Sequence, residues 1–175
     1  SSFTRELELQ ANQVVSNSAK AIAIGSLTNT ASIKVSAAKS IQGNFEFISS
    51  SFSSTAQISS TGAGSSIKIR ADEISVTTTL SADNAGSIDI VPFTEGRAIT
   101  IGSAAAGQLT ISNANADKFD TQTLRIGSTS SGNITINAST NFANAQNLVL
   151  ISGGDVEATG TAKLTVANLA VLALG

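Results

Sequence analysis

The chain has 175 residues, of which 13% are charged and 4% aromatic, with one Pro and no Cys, His, Met, Trp or Tyr. That length suits one domain with a sizeable core, and a regularly placed 41% hydrophobic content excludes a wholly disordered chain. Ten basic and twelve acidic residues in no cluster exclude the field that gathers nucleic acid or an anionic membrane, and the missing Cys and His exclude disulfides, thiol or imidazole catalysis and the zinc sites those ligands build.

In chain order, the opening "SSFTRELELQ" at 1–10 has no basic stretch followed by an apolar run, so no signal peptide is read there. "AIAIG" at Ala21–Gly25 and "SIKVS" at 32–36 place apolar residues two apart, the period that turns them to one side of a strand. The alternation then weakens over the Ser-rich residues 40–65, which hold Phe45, Phe47 and Phe52 in "GNFEFISSSFSS"; this reads as a less regular turn or insertion within a single domain spanning 1–175. Strand signals resume with "SIKIR" at Ser66–Arg70, "EISVT" at 73–77, "SIDIV" at Ser87–Val91, "AITIG" at 98–102 and "QLTIS" at 108–112. They continue with "TLRIG" at 123–127, "NITIN" at 133–137, "NLVLI" at 147–151 and "KLTVA" at 163–167. No segment holds a 3.6-residue period over three turns, so helices should be rare. The apolar end, "VANLAVLALG", has about half the length needed to cross a bilayer and reads as buried strand or as an edge from which repeats continue.

The stretch "ITIGSAAAGQLTI" at 99–111 returns as "LRIGSTSSGNITI" at 124–136. Ile67, Ile88, Leu109 and Ile134 form one series, with gaps of 21, 21 and 25 residues; Ile74, Ile99, Leu124 and Leu148 form another, with gaps of 25, 25 and 24. Two interleaved series with one period describe a coil, whose units bury apolar surface by stacking on their neighbours. Seven or eight turns fit, a rod of about 35 Å at about 4.8 Å per strand. A β-sandwich also has many short strands, but its hairpins favour Asn-Gly or Asp-Gly pairs, which this chain lacks. Ile99, Ile101, Leu124, Ile126, Leu148 and Leu150 are expected to point inward and stack. The edge at the last strand predicts weaker protection of the ends and end-to-end self-association.

Gly25, Gly102 and Gly127 follow strands and Gly86, Gly107 and Gly132 precede them, as corner residues do when positive φ or close approach is required. Phe93, Phe119 and Phe142 read as inward plugs at a wide corner. Asn137, Asn141 and Asn144 are candidates for corner or ladder positions, or plain surface residues.

The "G-x-L/I-T-I" strands at 107–111 and 132–136, the Ala or Asn that follows each, and "GGDVEATG" at 153–160 resemble the filamentous haemagglutinin-like repeats of large bacterial surface exoproteins, best over residues 60–160. The resemblance implies a right-handed single-stranded parallel β-helix, export by two-partner secretion or autotransport through an outer-membrane transporter, and a secreted or outer cell-surface location. It also implies a structural or adhesive shaft that attaches to a host receptor, a glycan or another cell, with no catalytic residues and no cofactor to carry over. The length and missing leader read as a fragment or an isolated repeat domain.

Other chemistries leave weaker traces. A polysaccharide-degrading enzyme would use two carboxyls about 5 to 9 Å apart, for which Asp117 with Asp120 and Asp155 with Glu157 are the candidates; the same groups serve a calcium-bridging reading, although no "D-x-D-x-D-G" loop is present. "GSAAAG" lacks the Lys of a phosphate loop, and the combined "S-x-x-K" and "K-T-G" set of penicillin-binding enzymes is absent. Ice or flat-surface binding would use Thr rows, and "TTT" at 77–79, "TQT" at 121–123 and "TGT" at 159–161 are present but share no fixed period.

Overall fold

The structure is a computed structural model that describes residues 6–10, 20–28, 31–83 and 85–175. Residues 1–5, half of the stretch read for a leader, lie outside the described residues. The described chain begins with β1 (Glu6–Leu9) and β2 (Ala21–Gly25). It then runs through β3 (Ser32–Val35), β4 (Lys39–Ile41), β5 (Asn44–Ile48), β6 (Ser51–Ser54), β7 (Ile58–Ser60), β8 (Ser66–Arg70), β9 (Glu73–Val76), β10 (Leu80–Ala82) and β11 (Ser87–Val91). Next come β12 (Ile99–Gly102), β13 (Leu109–Ser112), the single turn α1 (Asn113–Ala116) and β14 (Phe119–Gly127). The coil closes with β15 (Ile134–Ile136), β16 (Thr140–Asn141), β17 (Ala145–Ser152), β18 (Val156–Ala158), β19 (Leu164–Thr165) and β20 (Asn168–Ala173).

Every strand pairing among the described residues is parallel. The pairings build a parallel β-helix of about seven turns. Its long wall stacks β2, β5, β8, β11, β14, β17 and β20. A second wall is split into β1-β3-β6-β9 and β13-β12-β15-β18, and a narrow wall holds β4, β7, β10 and then β16 with β19. The nine-residue β14 bends through a corner and belongs to two walls: Phe119 and Asp120 pair with β10, while 123–126 pair with β11.

Alternation explains the core. Ile22, Phe45, Ile67, Ile88, Leu124, Leu148 and Leu169 are successive partners in the long wall, and Ile24, Phe47, Ile69, Ile90, Ile126, Leu150 and Val171 form the next column. From Phe45 to Leu150 these side chains are essentially fully buried, each contributing about 1.5 to 3 kcal/mol of transfer free energy. At β20 the inward Leu169 and Val171 are 51% exposed, because within the described residues no strand covers them.

The stretch 40–65 is not the less regular insertion expected from its composition: most of it is ordinary coil in β4 to β7. Phe45, Phe47 and Phe52 occupy inward positions, with ring centroids 5.5 Å apart for the first pair and 4.9 Å for the second. Its serines are core residues too. Ser49, Ser54 and Ser60 are buried and donate their hydroxyls to the main-chain carbonyls of Ser51 (2.8 Å), Ala56 (2.6 Å) and Gly43. A buried hydroxyl is tolerated when so bonded, and its small size fits where the wall turns. Phe119 and Phe142 are fully buried plugs as expected, whereas Phe93 is only half-buried.

The two series read from the sequence are threaded differently in space. In the long wall Ile88 is followed by Leu124, 36 residues on, where the other steps are 21 to 24. Leu109, Ile99 and Ile134 instead stack together in the second wall. All six residues expected inward are buried, but Ile99 and Ile101 lie on β13 and β15, not on Leu124 and Ile126.

The corner glycines serve two needs. Gly127 has φ +88°, and a Cβ there would lie 2.1 Å from the Ile151 carbonyl oxygen; Gly132 needs only room, its Cβ position being 2.5 Å from the Gly96 carbonyl oxygen. Gly107 has φ +73° and faces open space. Gly107→Ala is therefore expected to cost about 1–2 kcal/mol for the left-handed backbone, and Gly127→Ala more, since β17 must also move. Ile126→Ala is expected to cost about 2–5 kcal/mol through lost transfer energy and a cavity between rungs. Urea unfolding of the three variants checks the ranking.

Candidate functional site at a seam in the coil

Outward positions of the long wall form ladders. One runs Ala23, Glu46, Lys68, Asp89, Arg125, Val149, Ala170, one residue per strand. Lys68 pairs with Glu46 at 3.2 Å and Arg125 with Asp89 at 3.0 Å. Such partly exposed pairs contribute little stability, but they cancel charge along the face. A neighbouring polar ladder includes Thr123, Asn147 and Asn168; the Asn168 amide donates to Asn147 Oδ1 at 3.0 Å and that of Asn147 to the Gln122 carbonyl at 3.0 Å.

The carboxylates singled out in sequence are engaged separately. Asp117 pairs with Lys118 at 3.1 Å after α1, while Asp120 accepts from the Ser81 hydroxyl at 3.2 Å on the narrow wall. Glu157, exposed on β18, accepts from the Thr135 hydroxyl at 3.4 Å; Asp155, exposed in the preceding corner, receives Ile134 N–H on its main-chain carbonyl. No group of three or more acidic side chains is placed to hold a metal among the described residues. The Thr triplets fall on different parts of the coil: 77–79 between β9 and β10, 121–123 inside β14 and 159–161 beyond β18. Asn137 is a corner clamp, holding Ser103 through N–H to Oδ1 (2.8 Å) and Nδ2 to carbonyl (3.0 Å); Asn144 donates to the Asp117 carbonyl at 2.6 Å, and Asn141 is exposed on β16.

Ser36-Ala37-Ala38-Lys39 spells an isolated "S-x-x-K" that the sequence reading passed over. In the structure its two ends are tied to the exit of β1. The Ser36 hydroxyl donates to the Leu9 carbonyl at 3.5 Å, and Ser36 and Gln10, polar neighbours of Glu8, hold that carboxyl below its ordinary value. Lys39 is buried at an inward position, donates to the Gln10 carbonyl, and has its basicity lowered by that burial.

The departure from regular coiling lies between β11 and β14. Loop 92–98 climbs one rung: Gly96 N–H donates to the Ser130 carbonyl and Gly132 N–H to that of Arg97. Strand β12 thereby docks beneath β15, and the strap 103–108 carries the chain back down so that β13 lies below β12 and next to β9. The strap crosses the outer face of these strands; Thr100, an outward residue, is only 1% exposed and bonds Gln108. Asp72, at the corner after β8, fastens the climb by accepting from Thr94 N–H (2.9 Å) and hydroxyl (2.5 Å), with Arg97 Nε 3.5 Å away.

No strand pairing joins β9 to β13 among the described residues. Glu73 and Thr77 donate their N–H groups downward to β6, at the Ser50 and Ser54 carbonyls, so the alternation of a parallel strand turns the main chain of Ile74 and Val76 toward β13. Leu109 N–H bonds the Ala98 carbonyl, which by the same rule turns Thr110 toward β9. Asn115, held in α1 by the Ser112 hydroxyl, closes one end of this seam by donating to the Val76 carbonyl at 3.3 Å. The other end opens into a depression of about 280 Å³ lined by Glu73, Ile74, Arg97, Ala106, Gln108 and Thr110. Glu73 and Arg97 gave no signal in the sequence, since neither sits in a motif; the 36-residue step, once aligned, is the trace that marks the place.

No protein-family model matches the chain, and searches of curated proteins and of solved structures likewise find no match.

Asp72→Asn removes the charge that holds Thr94 and Arg97 and is expected to cost about 1–3 kcal/mol. The loss should appear in urea unfolding together with faster amide hydrogen exchange at Thr94; unchanged exchange there would place the anchor elsewhere.

Proposed function

We propose that this chain is a structural and adhesive shaft of a secreted bacterial surface protein, attaching its cell to a host receptor, a glycan or another cell after export through an outer-membrane transporter. The observation that carries this reading is the division of labour between the two sides of each strand: inward residues stack rung on rung into a continuous core, while the outward Glu46, Lys68, Asp89 and Arg125 of the long wall form ion pairs. A rod built this way is stiff, carries no long-range field and presents its surface by repetition. The resemblance of its repeats to filamentous haemagglutinin-like exoproteins supports the same assignment.

The test is adhesion with turnover as its counterpart. Beads coated with the protein should bind host cells or immobilised glycans above uncoated beads, and polysaccharides incubated with it should remain uncleaved. Cleavage that is lost in Asp155→Asn or Glu157→Gln, with the fold intact, would overturn the assignment in favour of an enzyme.

A further inference from the structure

We infer that the depression at the β9–β13 seam is a binding site for a single neutral pyranose ring. The inference rests on the adhesive reading and gives it a chemical contact. The size is the first argument: about 280 Å³ lies just below the roughly 300–1,000 Å³ of small-molecule sites, the scale of one ring.

The second argument is the set of hydrogen-bonding groups. The seam leaves ladder positions without a ladder, so the main chain of Ile74 and that of Thr110 face the gap from opposite sides. The Gln108 carbonyl oxygen is taken by Thr100, which leaves its amide N–H groups as donors. Glu73 supplies an acceptor pair, and the Arg97 guanidinium supplies donors beyond the Nε that lies toward Asp72. Buried Arg97 Nε makes no hydrogen bond and faces Asp72 only as an ion pair at 3.5 Å. A ring carrying several hydroxyls, each both donor and acceptor, matches this mixed set better than a purely anionic or purely cationic group. Ala105 and Ala106 supply apolar surface for the C–H face of the ring.

Charge supplies the third argument. Glu73 and Arg97 bring one charge of each sign to the lining, and Asp72 lies beside Arg97 Nε, so the site offers no net positive charge to a carboxylated or sulfated sugar. The sugar is thereby assigned to the neutral class.

The experiment is an amide NMR titration of the whole chain with methyl glucoside, methyl galactoside, methyl mannoside and N-acetylglucosamine, with sialic acid as the anionic probe. At least one neutral sugar should give saturable shifts centred on Ile74, Gln108 and Thr110. Glu73→Gln should weaken that binding roughly tenfold, as expected for loss of a hydrogen bond to a charged group. Ala106→Phe, on the exposed strap, should block it while leaving the remaining spectrum unchanged. Saturable binding by none of the neutral sugars, shifts centred elsewhere, tighter binding of sialic acid, or insensitivity to both substitutions would each overturn the inference. Cell adhesion measured on the same Ala106→Phe protein separates the two readings. Adhesion that persists without sugar binding at the seam leaves the shaft assignment standing and removes the seam as its contact. Sugar binding at the seam without adhesion does the reverse.

Discussion

Fixing the backbone of one residue opposes folding by about 1–2 kcal/mol, and a strand of three to five residues has too few contacts of its own to offset that. Each strand here is ordered by the rung beneath it and the rung above. The requirement reaches every level of the molecule. It sets the inward columns, so that Leu148 lies over Leu124 and Leu150 over Ile126. It keeps the pairings parallel, since a coil always returns in the same direction, and it makes a corner that cannot close tightly a defect for both rungs it joins. Gly127 and Gly132 meet that last demand in different ways, one by conformation and one by lacking a side chain.

The same requirement explains why two nearly identical stretches fold differently. In 124–136 the Gly-to-Gly segment is a corner, leading from β14 in the long wall to β15 in the second. In 99–111 the equivalent segment is a strap, and both flanking strands lie side by side in one wall. Each outcome buries Ile and Leu equally well, so the motif does not choose between them. The choice is made by neighbours: Asp72 fastens Thr94 and Arg97 so that the chain arrives one rung too high, and α1 sets β13 back at the lower level with Asn115 on the Val76 carbonyl. These are long-range contacts between residues with no local pattern.

This marks the limit of what was legible in the sequence. Fold class followed from a period of two inside a period of 21 to 25, because both are direct geometric consequences of strand and coil. Ile67, Ile69, Ile88 and Ile90 could be placed inward from alternation alone. The stretch 40–65 was misread because Ser was taken for loop. In a narrow coil a buried Ser bonding a corner carbonyl is as much a core residue as Phe47 beside it. The threading of Ile88 to Leu124 was hidden by the likeness of the two stretches, and the seam was hidden with it. Glu73, Arg97 and Gln108 are brought together by the inversion of β12 and β13 and by nothing in their spacing.

A regular coil leaves little room for chemistry, since outward residues on successive rungs stand about 4.8 Å apart and tend to bond one another along the ladder, as Asn147 and Asn168 do. Irregularity is what frees groups to face anything else. Where the chain climbs early and drops back, two strands meet without a ladder, main-chain donors and acceptors lose their customary partners, and side chains from separate rungs converge on one opening. The regular rungs on either side hold that opening rigid. A coil of this kind therefore opens a discrete depression where its repeat breaks, within an otherwise continuous core, so that the defect is supported from both directions along the rod.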